Sequence, residues 1–293
     1  MTRQQRFCWR CCGFLFARQT RSRKEGAQKL KNTRRQYNHH RRASPTSWDG
    51  VAHWYDNWVG EEGSEHHREV VVPTLLSLLD PQPGEKVLDV GCGQGVLAPY
   101  AAKAGARYTG IDASPRLVET ARRRHGKEGR FLLGDARELP GVPDLREGSY
   151  DAVTFLLSIQ DMDPLDSVLA SAAWALRPGG RLVALLIHPA FRVPRQSGWG
   201  WDEGRKLQYR RVDRYLTPLL VPIKRVDGSR PTSSFHRPVS AYVNGLAACG
   251  LVVDSMLEVP AHKVKSPRAG DDRAAEMARR EIPLFLGLRA RKV

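Results

Sequence analysis

No uninterrupted apolar run in the sequence reaches about 18 residues, the length a membrane-spanning helix needs, so no transmembrane segment is expected. Cysteine is scarce: Cys8, Cys11, Cys12, Cys92 and Cys249 make an odd count with no paired framework. That excludes a disulfide-stapled fold and fits a reducing compartment. Cys8-x-x-Cys11 has the spacing of half a zinc site. No second pair exists and the nearest histidines, His39 and His40, are far along the chain, so no metal is expected. No internal repeat is visible.

Acidic residues are nearly absent from the start of the chain. Residues 1–43 hold 13 Lys and Arg against one acid, Glu25, while residues 44–293 hold 34 basic and 30 acidic residues. The net charge of +16 is therefore mainly a property of this tail and says little about what the rest binds. Three readings of residues 1–43 stay open. They form a disordered basic arm that touches nucleic acid or anionic lipid, an organelle transit peptide, or sequence upstream of the true start. Their apolar stretch, Cys11 to Ala17, is too short and too poorly flanked for a secretory signal. The expected location is cytoplasmic, or an organelle if the transit reading holds.

The remaining 250 residues suffice for one large α/β domain, 44–293, with an insertion. Its organising stretch is Val87-Leu88-Asp89-Val90-Gly91-Cys92-Gly93-Gln94-Gly95, a buried strand that runs into three alternating glycines and then a helix, expected over 96–103 and closed by Gly105. A glycine turn from strand to helix is a small-molecule cradle of open α/β sheets. A dinucleotide fold uses G-x-G-x-x-G to seat a pyrophosphate. The pattern here is D-x-G-x-G-x-G, and a carboxylate two residues before the first glycine suits a ligand with an amino group or sulfonium better than a phosphate.

Two further strands end in acids. Tyr108-Thr109-Gly110-Ile111-Asp112 places Asp112 17 residues past Gly95, near the distance at which an acid meets ribose hydroxyls. Ser114 and Pro115 then cap and open a helix. Gly129 to Ala136 forms a third strand with Asp135 at its end, and Tyr150 to Leu157 a fourth. Asp163 and Pro164 are expected to cap the next helix. Leu176-Arg177-Pro178-Gly179-Gly180 is expected to turn from that helix into a fifth strand.

VLDVGCGQG resembles the first motif of the class I S-adenosylmethionine-dependent methyltransferases, and residues 50–188 as a whole resemble the methyltransferase type 11 group. The resemblance implies a Rossmann-like seven-stranded, mostly parallel sheet of order 3-2-1-4-5-7-6 with helices on both faces. The last two strands would be residues 251–259 and 283–292. It implies S-adenosyl-L-methionine as cofactor, held by Asp89, Gly91, Gly93, Gly95, Asp112, Ala113 and Leu156. Asp135 would accept from the adenine amino group and Ala136 would donate its backbone N–H. The segment Ala52, Tyr55, Asp56 is similar to one that many small-molecule members place over the cofactor, with Tyr55 facing the sulfonium; packing of these aromatics as a cap on the sheet is the alternative.

Residues 189–238 exceed what such a fold requires and carry 11 basic against four acidic residues. They are expected to form an irregular lid or substrate-binding loop in which Arg192, Arg195, Trp199, Tyr209 and Arg237 hold a planar or anionic acceptor. The alternative is a solvated basic surface hairpin. His236 in the insertion and His188 at the end of the fifth strand are candidate general bases, or else hydrogen-bonded structural histidines. A small-molecule acceptor is the favoured partner. RNA, gripped by the tail and insertion, is the less favoured alternative, because no RNA-binding module is visible. A binding or assembly protein that keeps the cofactor without catalysis is the third reading.

Overall fold

The computed structural model describes residues 48–61, 63–223, 232–261 and 272–293. The readings of residues 1–43, Cys8, Cys11 and Cys12 among them, lie outside these. Val87 to Val90 belong to strand β1 (Lys86–Val90), buried along four of its five residues. A strand covered on both faces needs apolar side chains in both directions, which is why VLDV lacks polar alternation. Leu88 and Val90 point into one core and Val87 into the other, as a period of two requires.

β1 lies parallel to β2 (Arg107–Asp112) on one side and to β4 (Tyr150–Leu156) on the other. β3 (Gly129–Leu133) extends the sheet beyond β2, and β5 (Leu176–Ile187) beyond β4, again parallel. β11 (Phe285–Lys292) is antiparallel to β5, and β10 (Leu251–Val259) is antiparallel to β11. The order is β3-β2-β1-β4-β5-β11-β10. Counted among the strands of this sheet alone, it is 3-2-1-4-5-7-6, as the resemblance implied.

Helices α1 (Ala52–Val59), α2 (Val72–Leu79, entered through a π-helical turn), α3 (Ala98–Lys103) and α4 (Pro115–His125) precede β3 in sequence. Leu75 and Leu79 of α2, Ala101 of α3 and Val118 and Ala121 of α4 bury one face of the sheet with Val87, Ala152, Val183 and Leu185. Val168, Leu169 and Ala172 of α5 (Leu165–Ala175) and Tyr242 and Leu246 of α6 (Val239–Ala248) bury the other against Leu88, Val90, Val153 and Phe155. At the end remote from the glycine loop, Arg181 of β5 ties the sheet to the loop after α2. Its guanidinium forks onto Glu85 at 2.6 and 2.9 Å and donates to the carbonyls of Leu79 and Asp80.

Three local expectations change. The helix after the glycine loop starts at Ala98 and not at 96, because the turns 92–97 are used to reverse the chain. Asp163 does not cap α5: Pro164 occupies the cap position in extended conformation, and Asp163 accepts instead from Arg237 at 2.7 Å. The insertion is not irregular. It contains two antiparallel hairpins, β6 (Ser197–Asp202) with β7 (Leu207–Val212) and β8 (Leu219–Pro222) with β9 (Ser233–His236). Between β10 and β11 lies a further helix, α7 (Asp272–Glu281).

Candidate functional site

The three glycines after β1 all have positive φ, +72°, +55° and +89°. Their side-chain directions differ. A methyl group on Gly91 would come within 2.6 Å of Met162 Cε and 2.7 Å of Ser158 Cβ, and one on Gly95 within 2.8 Å of the Phe131 ring. One on Gly93 would meet only Tyr55, at 3.6 Å. Gly91 and Gly95 are thus held by packing, and the open side of the cradle lies at Gly93, facing Tyr55.

Asp112, at the end of β2, has one oxygen on this loop and the other on the cap of α4. Gly93 N–H donates to Oδ2 at 3.0 Å and Ser114 N–H to Oδ1 at 2.8 Å. Burial raises the Asp112 carboxyl, and the backbone N–H groups of Ser114, Gly93 and Ala113 oppose that rise. Two donors leave further lone pairs on this carboxylate, so it can still accept from vicinal hydroxyls. Ser114 caps α4 by accepting from Leu117 N–H, and its hydroxyl donates to Asp49 at 2.9 Å, which docks the segment before α1 onto α4.

Asp89 takes a different position from the one its motif suggested. It is 1% exposed and accepts from Tyr108 Oη at 2.7 Å and Thr154 Oγ1 at 3.0 Å, so it links β1 to β2 and β4 inside the sheet. Burial pushes its carboxyl up to about 6 despite both hydroxyls. Tyr55 is the lid of the cradle: Trp48 packs edge-on against it at 5.4 Å, and neighbouring Asp56 pairs with Arg124 of α4. Burial, then the carboxylates of Asp112, Asp161 and Asp89, hold the Tyr55 phenol well above its ordinary range.

Asp135 ends β3 with its carboxylate engaged by Arg137, at 2.5 to 3.0 Å, and by Arg137 N–H at 2.9 Å. Ala136 begins the 3-10 turn that follows. Leu156 closes β4 and leads through Leu157 and Ser158 into a 3-10 turn, Ile159–Asp161. Sequence reasoning assigned no role to this turn. Ser158 Oγ donates to Val90 O at 2.7 Å, and Ser158 and Met162 abut Gly91, so the turn rests on the glycine loop. The available signal was position: Asp161 follows the end of β4 as Asp135 follows the end of β3.

The candidates in the insertion fall into two groups. Arg192 and Arg210 lie 5.0 and 5.1 Å from the Trp199 ring, and Tyr209 covers Gly200 across the hairpin. Burial, with Arg210 adding to it, lowers the Arg192 guanidinium to about 10. Trp199 is thus occupied by the protein's own guanidinium groups, while Arg195 and Tyr209 are exposed. Arg237 belongs elsewhere: it is buried, donates to Met162 O and Asp163, and stacks on Phe235, which ties the end of β9 to the turn after β4.

Both histidines are hydrogen-bonded. His188 donates from Nε2 to Glu258 at 2.9 Å and accepts Ala190 N–H at Nδ1 at 3.2 Å, and burial lowers it in spite of the carboxylate. His236 donates from Nε2 to Tyr215 O at 2.7 Å. Neither offers the nitrogen used in that bond to a substrate proton.

Comparison with known proteins fits this geometry. A family model described as "Methyltransferase domain" matches residues 88–184. A ubiquinone biosynthesis O-methyltransferase from Xanthomonas oryzae pv. oryzae is 34% identical over 140 residues, 46% of this chain and 57% of that one. The chain therefore matches little more than half the length of such curated relatives. Among solved structures, an S-adenosylmethionine-dependent methyltransferase from Mesorhizobium loti aligns with TM-score 0.61 and 24% identity over 79% of this chain and all of its own. One from Listeria monocytogenes described as putative aligns with TM-score 0.59 and 25% identity, over 75% and 97%.

Proposed function

The chain carries a class I S-adenosylmethionine-dependent methyltransferase domain, and from that premise we propose that the protein transfers the methyl group to a small, planar or anionic acceptor. The observation that carries this reading is the cradle itself. Gly93 presents backbone with no side chain, the Asp112 carboxylate is fixed beside it by two N–H groups, and Tyr55 closes the opposite side. This set fits the cofactor: vicinal hydroxyls for Asp112, and a cation for the face of Tyr55. Ala113 and Leu156 line the same strand ends, with Asp135 and Ala136 toward the β3 edge.

When bound, S-adenosylmethionine supplies a methyl group on a cationic sulfur that leaves as a neutral thioether. The protein's residues then need to orient the acceptor in line and exclude water, and orientation alone contributes up to about 7–11 kcal/mol in well-aligned systems. The insertion supports a small acceptor. Its hairpins are short, and the Arg192–Trp199–Arg210 stack sets flat and cationic surface together on one face of the first hairpin, with Tyr209 on the other. The name of the Xanthomonas relative, which refers to ubiquinone biosynthesis, supports a small aromatic acceptor as well.

Isothermal titration of S-adenosylmethionine and S-adenosylhomocysteine into the full chain tests the cofactor. Micromolar binding of both is the expected result. Failure of both to bind would overturn the reading.

A further inference from the structure

Among the acids at the strand ends, Asp161 is placed for chemistry. Asp89 is spent inside the sheet, Asp112 is held by the N–H groups of Gly93 and Ser114, and Asp135 is paired with Arg137. Among the described residues Asp161 has no cationic partner. Its carboxylate lies within reach of the Ser234 hydroxyl, which in this arrangement donates to Gln160 O at 3.4 Å. Ser234 sits on β9, in the insertion, whereas the turn that carries Asp161 rests on Gly91 through Ser158 and Met162. The carboxylate therefore stands where the glycine cradle meets the insertion, on the side of Tyr55. Next to it, Gln160 Oε1 is buried without a hydrogen-bond partner, an acceptor held ready in the same turn.

We propose that Asp161, steadied by Ser234, receives the acceptor's proton as the methyl group is transferred, and that the acceptor presents a weakly acidic hydroxyl, a phenol or enol, at this junction. The inference rests on the methyl-transfer reading. The step balances: the acceptor O–H bond breaks and its proton goes to Asp161. The oxygen lone pair forms the new C–O bond, and the S–CH3 pair returns to sulfur, leaving a neutral thioether. Asp161 then releases its proton to solvent.

The surroundings suit a base. Tyr55 of α1 and Tyr242 of α6 are the titratable groups that feel its charge, and Arg237, three residues after Ser234, is directed to Asp163. β5 contributes only apolar side chains over Leu182 to Ile187. Burial raises the Asp161 carboxyl to about 7, against the pull of the Ser234 hydroxyl. Against a phenol of pKa about 10, proton transfer is then uphill by about three powers of ten, where an ordinary carboxylate would face about six.

The test uses the full-length protein with Asp161→Asn and Ser234→Ala, and phenol and 4-nitrophenol as probes. Both variants should bind S-adenosylhomocysteine as the parent does. With 4-nitrophenol added to the S-adenosylhomocysteine complex, the pH midpoint of its phenolate absorption band should lie higher in the parent than in D161N, because the neighbouring Asp161 carboxylate opposes a second negative charge. Methylation of phenol should fall by about 10²-fold or more in D161N. Methylation of 4-nitrophenol above its pKa should fall far less, because that nucleophile arrives ionised. S234A should shift the rising limb of kcat/KM to higher pH. Equal losses for both phenols, a nitrophenol midpoint unchanged by D161N, or a parent protein that binds S-adenosylhomocysteine yet methylates neither phenol would each overturn the proposal. A parent that fails to bind S-adenosylhomocysteine would bring down the methyl-transfer reading instead.

Discussion

Asp89→Asn separates what the fold tolerates from what it needs. Asp89 is fully enclosed, and its carboxyl titrates near 6 in the folded protein against about 3.8 in an unfolded chain. The sign follows from linkage. Between those two values the folded state holds a proton that the unfolded state has lost, so this residue's contribution to stability falls as pH rises from about 4 to 6 and stays low above. A difference of roughly two pK units corresponds to about 3 kcal/mol at neutral pH. Asparagine removes the ionisation and keeps the shape, and the Tyr108 and Thr154 hydroxyls can rotate to pair with its amide.

The other titrating groups confuse the absolute curve but not the comparison. His67, for example, is lowered to about 4 by burial and by its neighbours His66 and Arg68, so its contribution is lost as pH falls from 6.5 toward 4, the opposite slope. The difference between parent and D89N cancels such terms. Urea unfolding at a series of pH values should show D89N close to the parent near pH 4 and more stable than it by about 1–3 kcal/mol at pH 7.5. A pH-independent difference, or a D89N protein less stable at pH 7.5, would refute the burial argument.

Other substitutions probe the loop and the frame. Gly93→Ala should cost the fold only about 1–2 kcal/mol, that of a left-handed alanine, yet weaken S-adenosylhomocysteine binding measured by calorimetry. Gly91→Ala, which meets Met162 and Ser158, should instead lower the unfolding midpoint by the equivalent of about 1–3 kcal/mol. Arg181→Met strands Glu85 and should cost about 3–5 kcal/mol at pH 7 in chemical denaturation. The hydrogen bond from Arg181 also holds Glu85 below its usual pKa. This contribution is full above about 4.5 and fades as pH falls through the depressed value, so the penalty of R181M should shrink in acid.

The central sheet was legible because each of its strands announces itself locally. A strand buried on both faces is a short apolar run, and the turn after it is marked by glycine or by Ser-Pro; the order in which the strands pair came from the resemblance, since it is not written in any one segment. The two insertion hairpins were not legible. Trp199, Trp201, Leu207 and Tyr209 stay 39 to 47% exposed, so no buried face imposes an alternation that a reader could detect. The roles of the polar residues were legible only as far as position along the chain determines geometry. Asp112 could be placed because the strand end fixes it. Asp89 could not, because its partners Tyr108 and Thr154 come from adjacent strands, and only register shows that they reach it.

The same distinction bears on which acid can do chemistry. A carboxylate that closes bonds between strands, as Asp89 does, gains nothing from solvent access, and its ionised form is disfavoured throughout. A carboxylate one turn beyond a strand end escapes the sheet's hydrogen bonds, and its environment is set by whatever the insertion brings to it. Here that is Ser234, on a hairpin anchored by Arg237 to Met162 O and Asp163. The anchor fixes the hairpin against the very turn that rests on Gly91. Arg237 is then a positioning residue for the junction: Arg237→Lys, which loses the two-site grip, should raise KM for the hydroxyl acceptor more than it lowers kcat, with S-adenosylhomocysteine affinity preserved. A fall in kcat at constant KM would mean that the hairpin's placement contributes to the transfer step and not to holding the acceptor.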